Sequence, residues 1–475
     1  MRRWLPLLVA IVAAVAFRLP ILLNAKAINS DAAIVGVQAR HLLDGEFSAR
    51  LWGSPYQAPL ESVFAAGLFL VSGGASALGV LMVPLLGVLL MIALAWLVLE
   101  KHAGGWGAAL AVLPLVFATY AMNAPMSYVM RQSIATLAIF IVWLMDSEKP
   151  RALLLAGVLI GFGSFLDTFF SVLIPPLLLF GGARFWGHRR RVIAFGATIA
   201  TSFIVTRFLM WLSGASSHVD RGDVGTNWRF LWKQCLPFAL GLRTWMPGSV
   251  EWEPHVAWVA VTVLALVALV AGIGLGASGV LRTRFLPHLI LGVSAALTAI
   301  VAFLSSSAPF DMWSSRYLAP LIWFLPFTLL PVIARFEVRR AALFIVPWVV
   351  CAGVSGWASY GPFVSGPMIE RTREGRGEDA DELLAALRSR GVHHAQTNYW
   401  QSYRLSLLWR EDPLVVPVEP ELDRRSPLRA AVLEGSRVAL LFEGEEPPMF
   451  RDSLIGTTEV DRTSVGGKTL VIRAR

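Results

Sequence analysis

Apolar residues along this chain are gathered into long blocks, which short polar segments separate. Each of the longest blocks approaches the length of about 20 residues that spans a bilayer as a helix. We therefore predict about eleven transmembrane helices. They cover residues 4–23, 78–99, 106–122, 133–145, 152–165, 168–183, 192–212, 256–276, 286–304, 317–333 and 341–357.

The composition agrees with a membrane protein and excludes several other classes. Of the 475 residues, 56% are hydrophobic and 15% are charged, and the mean hydropathy is +0.62. A soluble domain of this length needs more charge to cover its surface. The net charge of +9 lies at helix ends rather than in one stripe, so no nucleic-acid partner is predicted. Cys235 and Cys351 lie far apart and predict neither a disulfide framework nor a metal cluster.

Basic residues predict the orientation of the helices. If the N-terminus is cytoplasmic, every short inner loop is basic, as the positive-inside rule requires, and a shift by one span would break the pattern. The inner loops hold Arg2, Arg3, Lys101, Lys149, Arg151, Arg184, Arg189, Arg190, Arg191, Arg282, Arg284, Arg335, Arg339 and Arg340. The first block lacks a small-residue cleavage site, so we predict an uncleaved helix in the inner (plasma) membrane.

Three longer segments then face outside, and the last of them changes character. They cover residues 24–76, 213–254 and the tail from 358. Residues 378–390 have a helical spacing of leucines, and short β-like runs follow at 392–397, 414–418, 438–442 and 469–472. The predicted fold is mainly α: a polytopic membrane helix bundle over residues 1–357, including outer loop 24–76 with surface helices, and an extracytoplasmic α/β domain over 358–475.

The first outer loop contains the most informative ionisable residue, Asp31. The stretch from Ala32 is predicted to form an amphipathic helix that ends at Gly45 and lies along the membrane surface. Asp31 has two interpretations, which are compatible. It caps this helix, which is the commoner role for such a residue, or it takes a proton from a substrate hydroxyl at the bilayer edge.

Several motifs in the chain are similar to those of one known family. Asp31 with its following helix, residues 51–62 (LWGSPYQAPLES) and residues 69–73 (FLVSG) resemble the first loop of GT-C glycosyltransferases of the family 39 type. This group is related to dolichyl-phosphate-mannose protein mannosyltransferases and lipid A aminoarabinose transferases. Residues 315–320 (SRYLAP) resemble the entry to a late helix, and residues 398–405 (NYWQSYRL) resemble a run in bacterial members. The order of these motifs extends over most of the chain.

The resemblance implies a glycosyltransferase that takes a sugar from a polyprenyl-phosphate donor and transfers it, with inversion, to an acceptor hydroxyl at the outer face. The family's loop aspartate is the general base, and Asp31 matches it. The implied partners are the donor, membrane lipids and an acceptor that is a lipid, a glycan or a protein, and no cofactor is implied. Ala32 stands where many relatives carry a second acid, and Gln57-Ala58-Pro59 stands where some carry Glu-Lys-Pro. Neither a metal role nor recognition of a lipid-A-type phosphate is therefore predicted at that point.

A phosphate leaving group needs fixed cations, and arginine suits bidentate contact with phosphate. Arg316, at the predicted outer mouth of a helix, is the first candidate, and Arg131 and Arg18 are weaker ones. The alternative for Arg316 is an anchor at the membrane interface, and the other two are equally well explained by pairing with lipid headgroups or with Asp31.

Further candidates bind substrate, and each has a structural alternative. They are Asp167, Tyr56, Glu61 and Tyr317. Capping explains Asp167 equally well, and an acid at a helix start explains Glu61 better than a role in the reaction. His41 is predicted to be an interfacial polar residue. Tyr399, Trp400 and Tyr403 either stack on sugar rings or pack the core of the tail, and packing is slightly favoured.

A transporter or lipid flippase is the main alternative function. Such proteins often contain inverted repeats and bind substrate near the bilayer midplane. This chain shows no repeat in its sequence, and its ionisable candidates lie at predicted outer helix ends, which favours chemistry at the interface. A non-catalytic relative whose tail binds a partner is a second alternative.

Fusions to alkaline phosphatase test the predicted orientation, because this enzyme needs disulfides that form only outside the cytoplasm. In a bacterial host, a fusion after Arg475 is expected to be active and a fusion after Arg191 inactive. Equal expression of both fusions is the control, and the opposite pattern of activity would contradict the orientation.

Overall fold

The computed structural model describes residues 3–119, 131–147, 149–214, 221–242, 256–278, 285–307, 309, 312–358, 372–454 and 456–475. The chain forms two compact units. The first contains the described residues of Met1–Leu19, Leu85–Pro125 and Met130–Pro362, and the second contains Pro20–Pro84 and the described residues of Phe363–Arg475. The predicted domain boundary lies at residue 358, whereas in the structure residues 20–84 group with the tail.

Apolar helices dominate the chain, as predicted. Within the described residues, six helical stretches are long and apolar enough to cross a membrane: Leu5–Leu23, Ala77–Val116, Arg189–Leu212, Val256–Ala277, Leu286–Ser305 and Ser314–Trp357. Four shorter apolar helices accompany them: Leu60–Ser72, Gln132–Asp146, Pro150–Leu166 and Thr168–Arg184. The last three match the fourth to sixth predicted spans, which are also the shortest in the sequence.

Two of the long stretches contain a break that separates two predicted spans. Ala77–Val116 is interrupted at Gly104, with φ 69° and ψ 169°, and Leu325–Ala358 is interrupted at Glu337, with φ 57° and ψ 167°. A positive φ is easy for glycine and unusual for glutamate. Each break therefore works as a tight turn, and the two long stretches account for four predicted spans.

Short helical segments complete the first unit. The 3₁₀ helix Thr168–Leu173 leads into Ile174–Arg184, and the 3₁₀ helix Met312–Leu318 and the turn Pro320–Trp323 lead into Leu325–Ala358. Between the two helices that flank predicted outer segment 213–254 lie Val224–Phe230, Leu231–Cys235 and Leu236–Ala239.

Helix ends that are predicted to face the same side meet within the first unit. Lys101 and Arg184, both predicted to be on the inner side, both approach the carboxylate of Asp146. At predicted outer ends, the Asn227 amide donates to the carbonyls of Phe303, Leu304 and Ser306 at 2.7–3.3 Å. This grouping agrees with the predicted alternation of spans, and the side that faces the cytoplasm stays a prediction.

Small residues allow two helices of the first unit to pack closely. Gly157 and Gly161 are four residues apart on Pro150–Leu166, and they face Thr198 and Ser202 of Arg189–Leu212. The Ser202 hydroxyl donates to the Val158 carbonyl at 2.6 Å. Paired small residues with interhelical hydrogen bonds are the usual means of close approach between membrane helices.

The variant Gly161→Leu tests this contact, because a Cβ at Gly161 would lie 2.3 Å from Ser202 Oγ and 2.8 Å from the Ser202 carbonyl carbon. Overpacking costs about 1–3 kcal/mol or more, so we expect a lower melting temperature of the protein in detergent. Gly196→Leu on the facing helix is the control, since a Cβ there meets no atom within 4 Å. Equal melting temperatures of the two variants would contradict this packing.

The second unit contains the five-stranded sheet of the tail. The strands are β1 (His394–Thr397), β2 (Leu414–Pro417), β3 (Arg437–Phe442), β4 (Thr458–Val465) and β5 (Lys468–Ala474). Their order is β2-β1-β3-β5-β4, with β1 parallel to β2 and β3, and β5 antiparallel to β3 and β4. The predicted α/β fold of the tail is confirmed.

Alternation along the strands divides the core of the tail between two faces of the sheet. Ala439 and Leu441 pack on the side of helices Glu378–Ser389 and Tyr399–Leu408, whereas Val438, Leu440 and Phe442 pack on the side of Ser426–Glu434 and Pro448–Ser453. The predicted helix at 378–390 and four predicted strands match observed elements. Strand β4 was not predicted, because it is polar and largely exposed at the edge of the sheet.

Candidate functional site around Asp31

The helix that carries Asp31 begins one residue earlier than the predicted cap. It covers Ser30–Leu43, and its cap is Asn29, whose side chain accepts a hydrogen bond from the Ala32 amide at 3.0 Å. Asp31 therefore lies inside the first turn, where an acid interacts favourably with the helix dipole. The interpretation of Asp31 as the helix cap is wrong.

The helix Ser30–Leu43 has no exposed face over most of its length. Every residue from Ala32 to Ala39 is buried, because the helix packs between Leu60–Ser72 and Tyr399–Leu408. Gly36 permits this approach, since a Cβ there would lie 2.6 Å from Val80 and 2.8 Å from Leu407. The predicted exposure of this helix as an amphipathic surface helix is therefore wrong, because neighbouring helices cover it.

Asp31 accepts two hydrogen bonds on one carboxylate oxygen. The Tyr399 hydroxyl and the Arg424 Nη2 atom both donate to Oδ1, the latter at 2.8 Å. The other oxygen, Oδ2, accepts no hydrogen bond from a described residue. The side chain is 19% exposed, so Oδ2 is available to a hydroxyl group of a ligand.

Arg424 is fixed by the motif that follows the Asp31 helix. Its guanidinium donates to Tyr399 Oη at 2.8 Å, to Ser54 Oγ at 2.8 Å and to the Gly53 carbonyl at 3.2 Å. Gly53 has a φ of +66°, and a Cβ there would lie 2.5 Å from Arg424 Cγ. Glycine in the LWGS sequence thus lets Arg424 lie against the loop.

The electrostatics of this group keep Tyr399 as a neutral donor. Burial raises the pKa of the Tyr399 phenol, and the negative charge of Asp31 raises it further. Burial alone would lower the pKa of Arg424, but Tyr399 and Asp31 outweigh it and raise that pKa. One carboxylate, one phenol and one guanidinium make a poor ligand set for a metal ion but a suitable one for holding a carboxylate in one orientation.

A second ionic cluster lies at the other end of the same helix. Glu411 is bound by Arg40, by His41 Nε2 at 2.6 Å and by Arg425 at 3.5 Å, and the Arg425 guanidinium lies 4.4 Å from the centre of the Trp52 ring. Burial alone would raise the pKa of Glu411, but the hydrogen bond from His41 and the nearby cations outweigh it, so the pKa is lowered. His41 is thus part of an ionic cluster rather than an isolated interfacial residue.

Comparison with known proteins identifies the fold. No protein-family model matches the sequence, and no curated protein matches it by sequence. The structure is similar to that of ArnT from Cupriavidus metallidurans bound to undecaprenyl phosphate, with a TM-score of 0.60, 12% identity and coverage of 98% of this chain and 97% of ArnT. The apo state of ArnT matches with the same TM-score and identity, and 97% of each chain is covered.

The chain has the fold of ArnT. The predicted membrane helix bundle with a small C-terminal α/β domain is therefore confirmed as a fold.

Two further candidate residues of this ArnT-like chain lie in the second unit with Asp31. Tyr56 is 43% exposed in the loop that follows the Asp31 helix, and its role in substrate binding stays a prediction. Glu61 is 4% exposed in the first turn of Leu60–Ser72, as the structural interpretation of that acid predicts. Tyr399 and Tyr403 are buried and Trp400 is exposed, so packing in the tail holds for the two tyrosines.

The remaining candidates belong to the first unit. Arg18 is fully buried and donates to the carbonyls of Ala14, Leu115 and Val116 at 3.0–3.1 Å. Asp167 is buried and caps the 3₁₀ helix Thr168–Leu173 by accepting from the Phe169 amide at 2.7 Å, so its capping role is confirmed.

Arg316 and Tyr317 form a cation–π contact at 5.0 Å, and the Tyr317 ring lies 6.3 Å from that of Phe169. The turn that holds Asp167 is therefore close to Tyr317. Arg131 begins the helix Arg131–Asp146, and its side chain lies outside the described residues.

Arg424 is the residue of this site that sequence reasoning missed. It lies 393 positions from Asp31 in a polar segment of the tail, and one basic residue among several there carries no local signal. The motif NYWQSYRL contains Tyr399, but the sequence predicted either sugar stacking or core packing for that residue and not a contact with Asp31.

The variant Glu411→Gln tests the ionic cluster. We expect it to lower the free energy of unfolding at neutral pH by about 1–3 kcal/mol, because Arg40, His41 and Arg425 lose their carboxylate partner. A lowered folded-state pKa gives stability that is present above the unfolded pKa, about 4.3, and is lost as pH falls through the folded value. The difference in melting temperature from wild type should therefore be constant above about pH 5.5 and shrink below about pH 4.

Exposed Glu421→Gln is the control for this measurement. A difference between Glu411→Gln and wild type that stays constant down to pH 3 would contradict the role of the ionised carboxylate.

Proposed function

We propose that this protein is a membrane glycosyltransferase that transfers a sugar from a polyprenyl-phosphate donor to an acceptor hydroxyl, with inversion, at the outer face of the inner membrane. Asp31 is the general base. The observation that carries the proposal is the geometry of Asp31 in a chain with the fold of ArnT, whose structure contains undecaprenyl phosphate.

The arrangement of Asp31 suits proton abstraction. Tyr399 and Arg424 both bind Oδ1 and hold the carboxylate in place, while Oδ2 accepts no hydrogen bond from a described residue. A general base must lie within hydrogen-bonding distance of the proton that it removes. An acceptor hydroxyl that donates to Oδ2 meets this condition without displacing either partner of Oδ1.

The reaction follows from that position. Oδ2 takes the hydroxyl proton as the acceptor oxygen attacks the anomeric carbon from the face opposite the phosphate. The bond between the anomeric carbon and the phosphate oxygen breaks, and the polyprenyl phosphate leaves with the electron pair. Tyr399 and Arg424 act as positioning residues in this step, because they contact Asp31 rather than the reacting atoms.

The donor requires a cation for its phosphate and an apolar surface for its chain. Arg316 stays our candidate for the phosphate, ahead of Arg131 and of Arg18, whose described hydrogen bonds are made to carbonyls. The first unit also contains an apolar cavity of about 610 Å³, lined by residues that include Phe17, Phe117, Val350 and Trp357. A polyprenyl chain is chemically suited to this cavity.

The first experiment identifies the substrates. Lipid-linked sugars and surface glycans are compared by mass spectrometry in cells with and without the protein. Accumulation of one polyprenyl-phosphate sugar together with loss of that sugar from a surface glycan, lipid or protein is the expected result. Loss of movement of a lipid across the membrane, with sugar transfer intact, would support a transporter or flippase instead.

The variant Asp31→Asn then tests the base in proteoliposomes that contain the identified donor and acceptor. We expect a loss of turnover of at least about 100-fold, because general bases contribute 10²–10⁴-fold. The melting temperature should fall only modestly, because Arg424 loses its carboxylate partner, and the size-exclusion profile should stay that of the folded protein. Asp44→Asn is the matched control, since Asp44 is exposed at the other end of the same helix. Retention of transfer by Asp31→Asn would refute the assignment.

A further inference from the structure

A buried cluster of two histidines and one aspartate lies in the first unit, at helix ends predicted to face the inner side. His102 comes from Ala77–Val116, Asp146 from the end of Arg131–Asp146, and His288 from the first turn of Leu286–Ser305. One ligand atom of each residue lies within 4.8 Å of those of the other two. Sequence reasoning missed this cluster, because its members are separated by 44 and 142 positions.

The ring nitrogens of both histidines are buried without a hydrogen bond to any described residue. His288 is fully buried, and its Nε2 lies 3.7 Å from Asp146 Oδ1; His102 Nε2 lies 3.5 Å from the same oxygen. Buried polar atoms are nearly always hydrogen-bonded, so two Nε2 atoms beside one carboxylate oxygen, all three without a hydrogen bond to a described residue, require an explanation. An ion bound by these three atoms would satisfy them together.

The two nitrogen–oxygen separations fit a small divalent ion. Two ligands that bind zinc at about 2.0–2.1 Å in tetrahedral geometry lie about 3.3–3.4 Å apart, close to the two distances to Asp146 Oδ1. Imidazole nitrogen and carboxylate oxygen are ligands that zinc prefers. We propose that His102, Asp146 and His288 bind a zinc ion, which leaves a fourth position for water.

The surroundings of the cluster determine how it binds an ion. Lys101 Nζ donates to Asp146 Oδ2 at 2.8 Å, which fixes the carboxylate and leaves Oδ1 towards the histidines, as outer partners of metal ligands commonly do. The rings of Phe180 and Phe327 lie 5.4 and 6.2 Å from that of His288, so the site has an apolar wall.

A positive neighbour opposes this assignment. Arg184 Nη2 lies 3.5 Å from Asp146 Oδ1, although it makes no hydrogen bond with that oxygen. The alternative is that Asp146 only neutralises Lys101 and Arg184, and that the histidines are packed beside it. These two arrangements differ in one measurable property, which is whether the protein retains zinc.

The site would join helices that are far apart in sequence. An ion at this position links Ala77–Val116, Arg131–Asp146 and Leu286–Ser305 at one end of the first unit. A ligand that binds only the folded state stabilises it, so zinc is expected to raise the melting temperature. This role is independent of sugar transfer and of Asp31.

Metal analysis of the purified full-length protein tests the site. The protein is treated with a chelator, reloaded with Zn²⁺ alone, freed of excess ion and analysed by inductively coupled plasma mass spectrometry. We expect about one equivalent of zinc in the wild type and a loss of most of it in His102→Ala and His288→Gln. His188→Ala, an exposed histidine at the start of Arg189–Leu212, is the matched control and should retain zinc.

Two further measurements keep the test decisive. Size-exclusion profiles report whether each variant is folded. If His288→Gln disturbs packing, His102→Ala still tests the site, because it removes the less buried ligand. In the wild type, Co²⁺ should give the visible absorption of a four-coordinate nitrogen and oxygen site, and that absorption should be absent from folded His102→Ala. Absence of zinc from the reloaded wild type, or equal zinc in all variants, would overturn the proposal and leave Asp146 as a counter-ion.

Discussion

The contact of Asp31 with Tyr399 and Arg424 is the interaction on which the candidate site depends. It joins the first predicted outer loop to the tail, because Asp31 is separated from its two partners by 368 and 393 positions. The buried helix Ser30–Leu43 makes this contact possible, since its small residues let the tail helix Tyr399–Leu408 approach closely. The tail therefore supplies part of the site rather than forming an independent appendage.

In the first unit, apolar helices form the scaffold, and most of the buried polar groups discussed above have a partner. Gly157 and Gly161 allow close packing, and the breaks at Gly104 and Glu337 turn the chain between spans. Ionisable residues in such surroundings are costly unless they are paired or bind a ligand. Arg18 meets this requirement through backbone carbonyls, and Asp146 through Lys101.

The sequence predicted where helices and strands lie better than it predicted which residues surround them. Hydrophobic blocks located the spans because burial in a bilayer leaves a signal about 20 residues long, and the leucine spacing at 378–390 predicted a helix that the structure contains. Strand β4 was not predicted because an exposed edge strand lacks the alternating apolar face that indicates a strand.

Contacts between residues far apart in sequence were not predicted, for a different reason. Asp31 was singled out from its own loop, but nothing near Arg424, His102 or His288 indicates which residue each will meet. The predicted exposure of the Ser30–Leu43 helix was wrong for the same reason, because nothing in its own sequence indicates that the tail helix Tyr399–Leu408 will cover it.

A structure of the protein with undecaprenyl phosphate tests the account most directly. The account predicts density for the phosphate beside Arg316, with Tyr399 and Arg424 still bound to Asp31 Oδ1 and with Oδ2 open to an acceptor hydroxyl. A phosphate bound away from Arg316, or an Asp31 carboxylate enclosed by protein on every side, would contradict it.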